Sequence, residues 1–103
     1  MNLLIAVADF NNPTDAGLVI TSSNNKTVIK SVEISNPTED DAEFEIVRID
    51  TEQEEYMLVG GFIEAGNYAV FLAGLNIALP LGHKLIARSE NTDLKIVANM
   101  VIL

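Results

Sequence analysis

Short apolar segments separated by polar turn residues run along the whole chain, and most of them alternate between apolar and polar positions. In residues 26–35, Val28, Val32 and Ile34 share one parity, and most of the other positions are polar. A period of two is typical of a β-strand with one face in a core and the other in water. Residues 94–102 alternate too, but their last positions are apolar on both parities, which indicates a strand that is covered on both faces.

These criteria predict eight strands at a spacing of roughly 8–12 residues. They cover residues 3–8, 17–21, 26–35, 42–50, 56–59, 68–72, 84–88 and 94–103. Together the strands predict a single all-β domain over residues 1–103, an antiparallel β-sandwich or jelly roll of about eight strands. A helical turn over residues 52–58 is the local alternative, because Glu, Gln, Met and Leu favour helices.

The strands at 68–72 and 84–88 are rich in residues that suit a half-buried sheet. The connection between them contains the turn-forming residues Pro80 and Gly82. We therefore predict that these two strands are antiparallel neighbours in one sheet.

Two segments depart from simple alternation. The apolar parity changes after Ile46, where Val47 and Ile49 follow, which predicts a β-bulge or a strand with apolar contacts on both faces. Gly60 and Gly61 follow the fifth predicted strand and permit a sharp bend of the chain.

Composition restricts the partners that the chain can bind. Fifteen acidic and six basic residues give a net charge of −9 in 103 residues. Nucleic acids and anionic membranes are bound through clustered Lys and Arg, so we expect neither as a partner. The apolar fraction is 49% and the mean hydropathy is +0.26, which indicates either an unusually complete core or apolar surface that other subunits cover, and we favour the second.

Signals for export and for cross-linking are missing from the sequence. The chain contains no Cys, which excludes disulfides and thiolate zinc sites. The first apolar run is short and follows no basic segment, and no stretch approaches the roughly 20 apolar residues of a spanning helix. We therefore expect the protein to be made in a cytoplasm.

Candidate catalytic and metal-binding residues are few. His83 is the only histidine, and the sequence contains no nucleophile motif, so we expect an exposed turn residue and no enzymatic activity. No cofactor is expected. The acidic residues Glu39, Asp40 and Asp41 could offer oxygen ligands to Ca²⁺, but they lack the spacing of an EF-hand loop.

Two further groups of side chains could form a binding site. The acidic residues in 52–55 are expected to form a solvated loop rather than a paired carboxylate site of the glycosidase type. Aromatic side chains could stack on sugar rings, although packing in the core is the expectation for them. These aromatic residues are Phe44, Tyr56, Phe62, Tyr68 and Phe71.

Three segments of the chain carry a resemblance to a class of virion proteins. Residues 26–36, KTVIKSVEISN, form a strand that ends in Asn before a small polar loop. Residues 79–87, LPLGHKLIA, form a turn followed by a strand, and residues 94–102 form an alternating terminal strand. These segments resemble small β-sandwich virion proteins of tailed bacteriophages, of the capsid-decoration, head-fibre or tail-accessory kind. The resemblance implies an oligomeric structural role on a phage particle, without catalytic residues.

The expected function is therefore that of a non-enzymatic structural protein located in the virion, such as a capsid decoration or head–tail accessory protein. We expect a homo-oligomer, preferably a trimer, that also contacts other virion proteins such as capsid or tail proteins. The candidate interface residues are Leu3, Ile5, Val7, Val101 and Leu103. Substitution of Val101 by Asp is expected to dissociate the assembly and leave the fold intact. The alternative function is a lectin-like or adhesin-like binding module, which exposed aromatic side chains near Tyr56 and Tyr68 would favour.

Overall fold

The computed structural model describes residues 2–9, 18–22, 26–90 and 93–102, and nine β-strands lie in these ranges. The strands are β1 (Asn2–Asp9), β2 (Leu18–Thr21), β3 (Thr27–Ser35), β4 (Ala42–Ile49), β5 (Glu55–Ile63), β6 (Tyr68–Phe71), β7 (Ile77–Leu79), β8 (Lys84–Arg88) and β9 (Lys95–Ile102). These described ranges contain no helix that is long and apolar enough to cross a membrane.

The strands form two antiparallel sheets. The first sheet has the order β1-β9-β3-β6, with β7 also paired to β3, and the second has the order β2-β8-β4-β5. The pairs are nested along the chain, because β4 pairs with β5, β3 with β6 and β7, β2 with β8, and β1 with β9. This is the arrangement of a jelly roll, in which one long hairpin is wound into two facing sheets. The predicted fold class is confirmed.

One hydrophobic core lies between the two sheets. Ile34 on the first sheet and Ile46 and Leu85 on the second are almost fully buried in it. The rings of Phe44 on β4 and Phe71 on β6 approach across the sandwich, with centroids 4.6 Å apart. Each large aliphatic side chain buried in this way contributes about 1.5–3 kcal/mol, so the alternating positions drive the two sheets together.

The strands predicted at 68–72 and 84–88 are not neighbours, and that prediction is wrong. β6 pairs with β3 in the first sheet, whereas β8 lies between β2 and β4 in the second. The connection between them contains β7, which the sequence pattern did not predict and which pairs with β3 beside β6. A connection of this length can cross the roughly 10 Å between stacked sheets, so its turn residues do not imply a hairpin.

An extra residue in β3 explains a break in its alternation. The register of β3 against β9 shifts between Ile29 and Ser31, which leaves Lys30 as the extra residue. Because of this bulge, Ile29 and Val32 are both buried in the core although they differ in parity. Lys30 Nζ donates a hydrogen bond to Asn76 Oδ1, at 2.8 Å, in the loop between β6 and β7.

The parity change in β4 has a different origin. β4 is regular against β8, and its apolar residues lie on both of its faces. The bulge lies in the neighbouring strand, because Ile46 pairs with Val59 and Val47 with Met57, so that Leu58 is the extra residue. β5 begins at Glu55 and continues through both glycines to Ile63, so the strand is longer than the predicted 56–59 and the helical alternative over residues 52–58 is wrong.

Candidate functional site

A row of four apolar side chains crosses the outer face of the second sheet. Val19, Ile86, Val47 and Met57 are successive register partners on β2, β8, β4 and β5. Register partners lie on one face of a sheet, and this face is opposite to the one that carries Ile46 into the core. Val19 is 48% exposed and Met57 is 58% exposed, so both ends of this apolar row are open to solvent.

An ion-pair network lies beside the apolar row. Arg88 on β8 bonds Glu45 at 3.1 Å and Glu55 at 2.9 Å, and Glu45 is also its register partner. The hydrogen bonds from Arg88 to Glu55 and then to Glu45 raise the pKa of the guanidinium above its ordinary value. One cation therefore neutralises part of the charge of two carboxylates on this face. Both carboxylates are therefore engaged by the same cation.

Two exposed aromatic side chains line a second surface, a groove of about 270 Å³ at the corner where the chain crosses from β5 to β6. Phe62 and Tyr68 are each 69% exposed. The groove also contains Glu64 and Asn67, and Asn67 Nδ2 donates to Glu64 Oε2 at 3.2 Å. We call this surface, lined by residues 62–64 and 67–69, the aromatic groove. Of the five aromatic residues named as candidates, only Phe44 and Phe71 pair in the core, so the expectation of core packing fails for the other three.

The loop before β4 holds the aromatic groove in place through Asn36, which is buried. Asn36 Nδ2 donates to the carbonyl oxygens of Asp40 and Ile63, at 2.8 and 2.9 Å. Asn36 N donates to the carbonyl oxygen of Asn67 at 2.8 Å. These bonds tie the turn that carries the groove to the body of the protein.

The acidic residues proposed as calcium ligands serve this same loop. Asp41 Oδ1 accepts a hydrogen bond from Ala65 N at 3.0 Å, so it helps to fix the turn after β5. Glu39 and Asp40 are exposed on the loop. The described part of the chain contains no cluster of three or more His, Asp or Glu side chains that could hold a metal ion, so the geometry gives the calcium hypothesis no support.

His83 is half-buried and has a partner, in contrast to the exposed turn residue expected from the sequence. Arg48 Nε lies 3.3 Å and its terminal nitrogen 3.0 Å from His83 Nδ1. Because arginine can only donate, Nδ1 is the acceptor and the imidazole carries its proton on Nε2. His83 thus positions Arg48, and no hydroxyl nucleophile completes a triad with it in the hydrogen bonds of the described residues.

The acidic loop after β4 is organised by a carboxylate. Asp50 Oδ1 accepts hydrogen bonds from the backbone N–H groups of Glu52 and Glu54, and Tyr56 Oη donates to Asp50 Oδ2 at 3.2 Å. The amide of Glu54 is the largest influence that lowers the pKa of Asp50. The negative charge of Asp50 in turn raises the pKa of Tyr56. These contacts indicate a structural turn rather than a pair of catalytic carboxylates.

Of the predicted interface residues, only Val101 has a described side chain. It is 6% exposed and is therefore buried within its own chain, which leaves little area for a partner. β1 carries Leu3, Ile5 and Val7 at the edge of the first sheet, but their side chains, like Leu103 as a whole, lie outside the described residues. An interface at these four positions stays a prediction.

Sequence reasoning missed the apolar row and the aromatic groove as surfaces. The signal for the row was present, because Val47 has the parity opposite to Ile46 and suggested apolar contacts on both faces of the strand. No comparable signal marked Phe62 and Tyr68, since an aromatic residue in a strand has the same pattern on either face of the sheet.

Comparisons with models of protein families, with curated proteins and with solved structures found no match to this chain. The resemblance to phage virion proteins therefore stays a prediction, and the function has to be inferred from the surfaces themselves.

Proposed function

We propose that this chain is a non-enzymatic structural protein of a phage particle, a capsid decoration or head–tail accessory protein that acts through protein–protein interfaces. The jelly-roll strand order is compatible with this role, because viral capsid proteins use the same architecture. The fold also occurs in lectins, so it does not distinguish the two functions, and the proposal depends on the surfaces.

The apolar row is the observation that carries the proposal. It crosses all four strands of the second sheet, and its ends at Val19 and Met57 stay about half exposed. Val47 in the middle of the row is only 2% exposed, so the apolar surface that is open to water lies at the two ends of the row. Burial of these ends against a partner is favourable by about 25 cal/mol for each Å² of apolar surface. The occupant that we propose for this face is a second copy of the chain.

The charge on this face is compatible with self-association in spite of the net charge of −9. Arg88 binds Glu45 and Glu55 beside the apolar row, so these two acids do not oppose each other as free charges when two faces meet. A row that packs on its own copy gives a dimer with two-fold symmetry, whereas the trimer expected from the sequence requires contact with a different surface.

The test is the solution mass of the purified protein over a concentration series at low and high salt. We expect an oligomer whose mass is unchanged by salt, because an apolar contact is not screened as a charge pair is. Met57→Asp and Val19→Asp should dissociate it, and Leu75→Asp, at an exposed leucine outside the row, should not. A wild-type protein that stays monomeric at all concentrations contradicts self-association through the row.

A second candidate function is a lectin-like or adhesin-like binding module. The observation that favours it is the aromatic groove, where two highly exposed aromatic side chains lie beside an amide and a carboxylate. A glycan array on the wild-type protein tests this function independently of its oligomeric state, and an array without any bound glycan counts against it.

A further inference from the structure

We infer that the aromatic groove binds one ring of a neutral pyranose sugar, through Phe62, Tyr68, Glu64 and Asn67. This inference deepens the second candidate function and is independent of self-association through the apolar row. It rests on three observations on the described residues, namely the exposure of the two rings, the hydrogen-bonded pair of Glu64 and Asn67 in the same groove, and the hydrogen bonds that hold the turn.

The two aromatic side chains provide the apolar part of the site. Phe62 lies at the end of β5 and Tyr68 at the start of β6, and the same groove exposes both of them. Each ring is 69% exposed, and a ligand that covers it removes aromatic surface from water, which is favourable. The apolar C–H face of a pyranose is a flat surface of matching size, and stacking on it leaves the hydroxyl groups free to bond elsewhere.

The polar pair provides the bonds to those hydroxyl groups. Glu64 Oε2 accepts from Asn67 Nδ2, which leaves the second carboxylate oxygen of Glu64 and the amide oxygen of Asn67 as acceptors and the second amide hydrogen as a donor. Two neighbouring hydroxyl groups of a sugar both donate and accept, so they can bond a carboxylate and an amide held side by side.

The turn is held in one conformation before any ligand arrives. Asn67 N donates to the carbonyl oxygen of Glu64 at 3.0 Å, and Asp41 and Asn36 bond the same turn from the neighbouring loop. Gly66 in this turn adopts a φ of 73°, which glycine accepts without strain, and no atom lies within 4 Å of the position that a Cβ would take. A site held in this way loses little conformational entropy on binding, which matters for a ligand with few contacts.

Charge and volume restrict the ligand further. Glu64 lines the groove, Glu43 is the register partner of Phe62, and Asp41 bonds the backbone of Ala65 in the same turn. We expect these acids to repel anionic sugars. A volume of about 270 Å³ lies just below the range of pockets for drug-sized ligands and suits a single ring. We therefore expect neutral hexoses as ligands, with dissociation constants in the millimolar range.

The experiment is saturation-transfer NMR on the full chain with the methyl glycosides of glucose, galactose, mannose and N-acetylglucosamine, and with glucuronic acid as the anionic probe. We expect transfer to at least one neutral glycoside and none to glucuronic acid. Phe62→Ser and Tyr68→Ser should each lower the affinity about tenfold, and Tyr56→Ser, an exposed aromatic at the opposite end of β5, should not.

Absence of transfer to every neutral glycoside overturns the inference, and so does an equal loss of affinity in Tyr56→Ser. The solution mass of the same variants separates the groove from the apolar row. If Phe62→Ser and Tyr68→Ser dissociate an oligomer and no sugar binds to the wild-type protein, the groove is a protein interface and the sugar site is refuted. Binding by Met57→Asp monomers at wild-type affinity supports the inference even if self-association fails.

Discussion

Asn36 Nδ2 donates a hydrogen bond to the carbonyl oxygen of Ile63, at 2.9 Å and 27 positions further along the chain. The bond joins the loop after β3, in the first sheet, to the end of β5, in the second. The buried amide also donates to Asp40 and accepts two bonds from Thr38, so both of its donors and its oxygen are used.

Asn36→Ala should destabilise the fold. It leaves the carbonyl oxygens of Ile63 and Asp40 without this donor, and a buried unsatisfied polar group costs about 1–3 kcal/mol. Urea denaturation measures the loss in free energy of unfolding. Asn99→Ala is the control, because among the described residues the Asn99 side chain donates to Ser31 Oγ, a bond of about 0.5–1.5 kcal/mol. Equal losses in the two variants would contradict the role assigned to Asn36.

Gly82→Ala should cost more stability than Gly66→Ala. Both glycines have a positive φ, which costs a non-glycine residue about 1–2 kcal/mol. Only at Gly82 would the new Cβ also clash, at 2.9 Å from Thr51 Cγ2. Thr51→Ser removes that methyl group. The double variant of Thr51→Ser and Gly82→Ala should therefore be about as stable in thermal unfolding as the single variant Gly66→Ala. No recovery would mean that the clash is not the cause.

Arg88→Met should change stability only slightly, by less than about 1 kcal/mol, because the ion pairs of Arg88 are partly exposed to solvent. Salt screens such pairs, so the difference from wild type in urea denaturation should shrink at high ionic strength. A large loss that is insensitive to salt would instead show that the aliphatic part of Arg88 supports the packing.

Asp50→Asn should reduce the loss of stability that the protein shows as the pH falls. The folded-state pKa of Asp50 is lowered below its ordinary value of 3.8, so its contribution is present at neutral pH and is lost as the pH falls below that value. The difference in free energy of unfolding between wild type and Asp50→Asn should therefore be largest at neutral pH and should disappear in acid. The same variant should lower the pKa of Tyr56 in an ultraviolet titration, since the charge of Asp50 raises it.

Val101→Asp should unfold the protein rather than only dissociate it. Val101 is buried within its own chain, and a charged carboxylate without a partner there costs several kcal/mol. Circular dichroism shows whether the variant is folded, and its solution mass shows whether it is dissociated. Met57→Asp, at an exposed position, is the control and should stay folded. A folded Val101→Asp monomer would favour the interface predicted from the sequence.

The sequence by itself determined the all-β class and most strand positions. Period-two alternation, as in Val32 and Ile34, follows from local pleating, and it is the same whichever strand lies next to it. Local signals also indicated the turn at Asn36, because Asn before Pro favours a turn.

Only the tertiary structure decided which strands pair, and therefore which surfaces exist. Pairing depends on contacts between distant residues, so residues 68–72 and 84–88 could lie in one sheet or in two with the same local pattern. The apolar row exists because β2, β8, β4 and β5 bring Val19, Ile86, Val47 and Met57 into one register. The exposure of Phe62 and Tyr68 was decided in the same way, since the face on which a strand residue lies depends on the sheet that its strand joins.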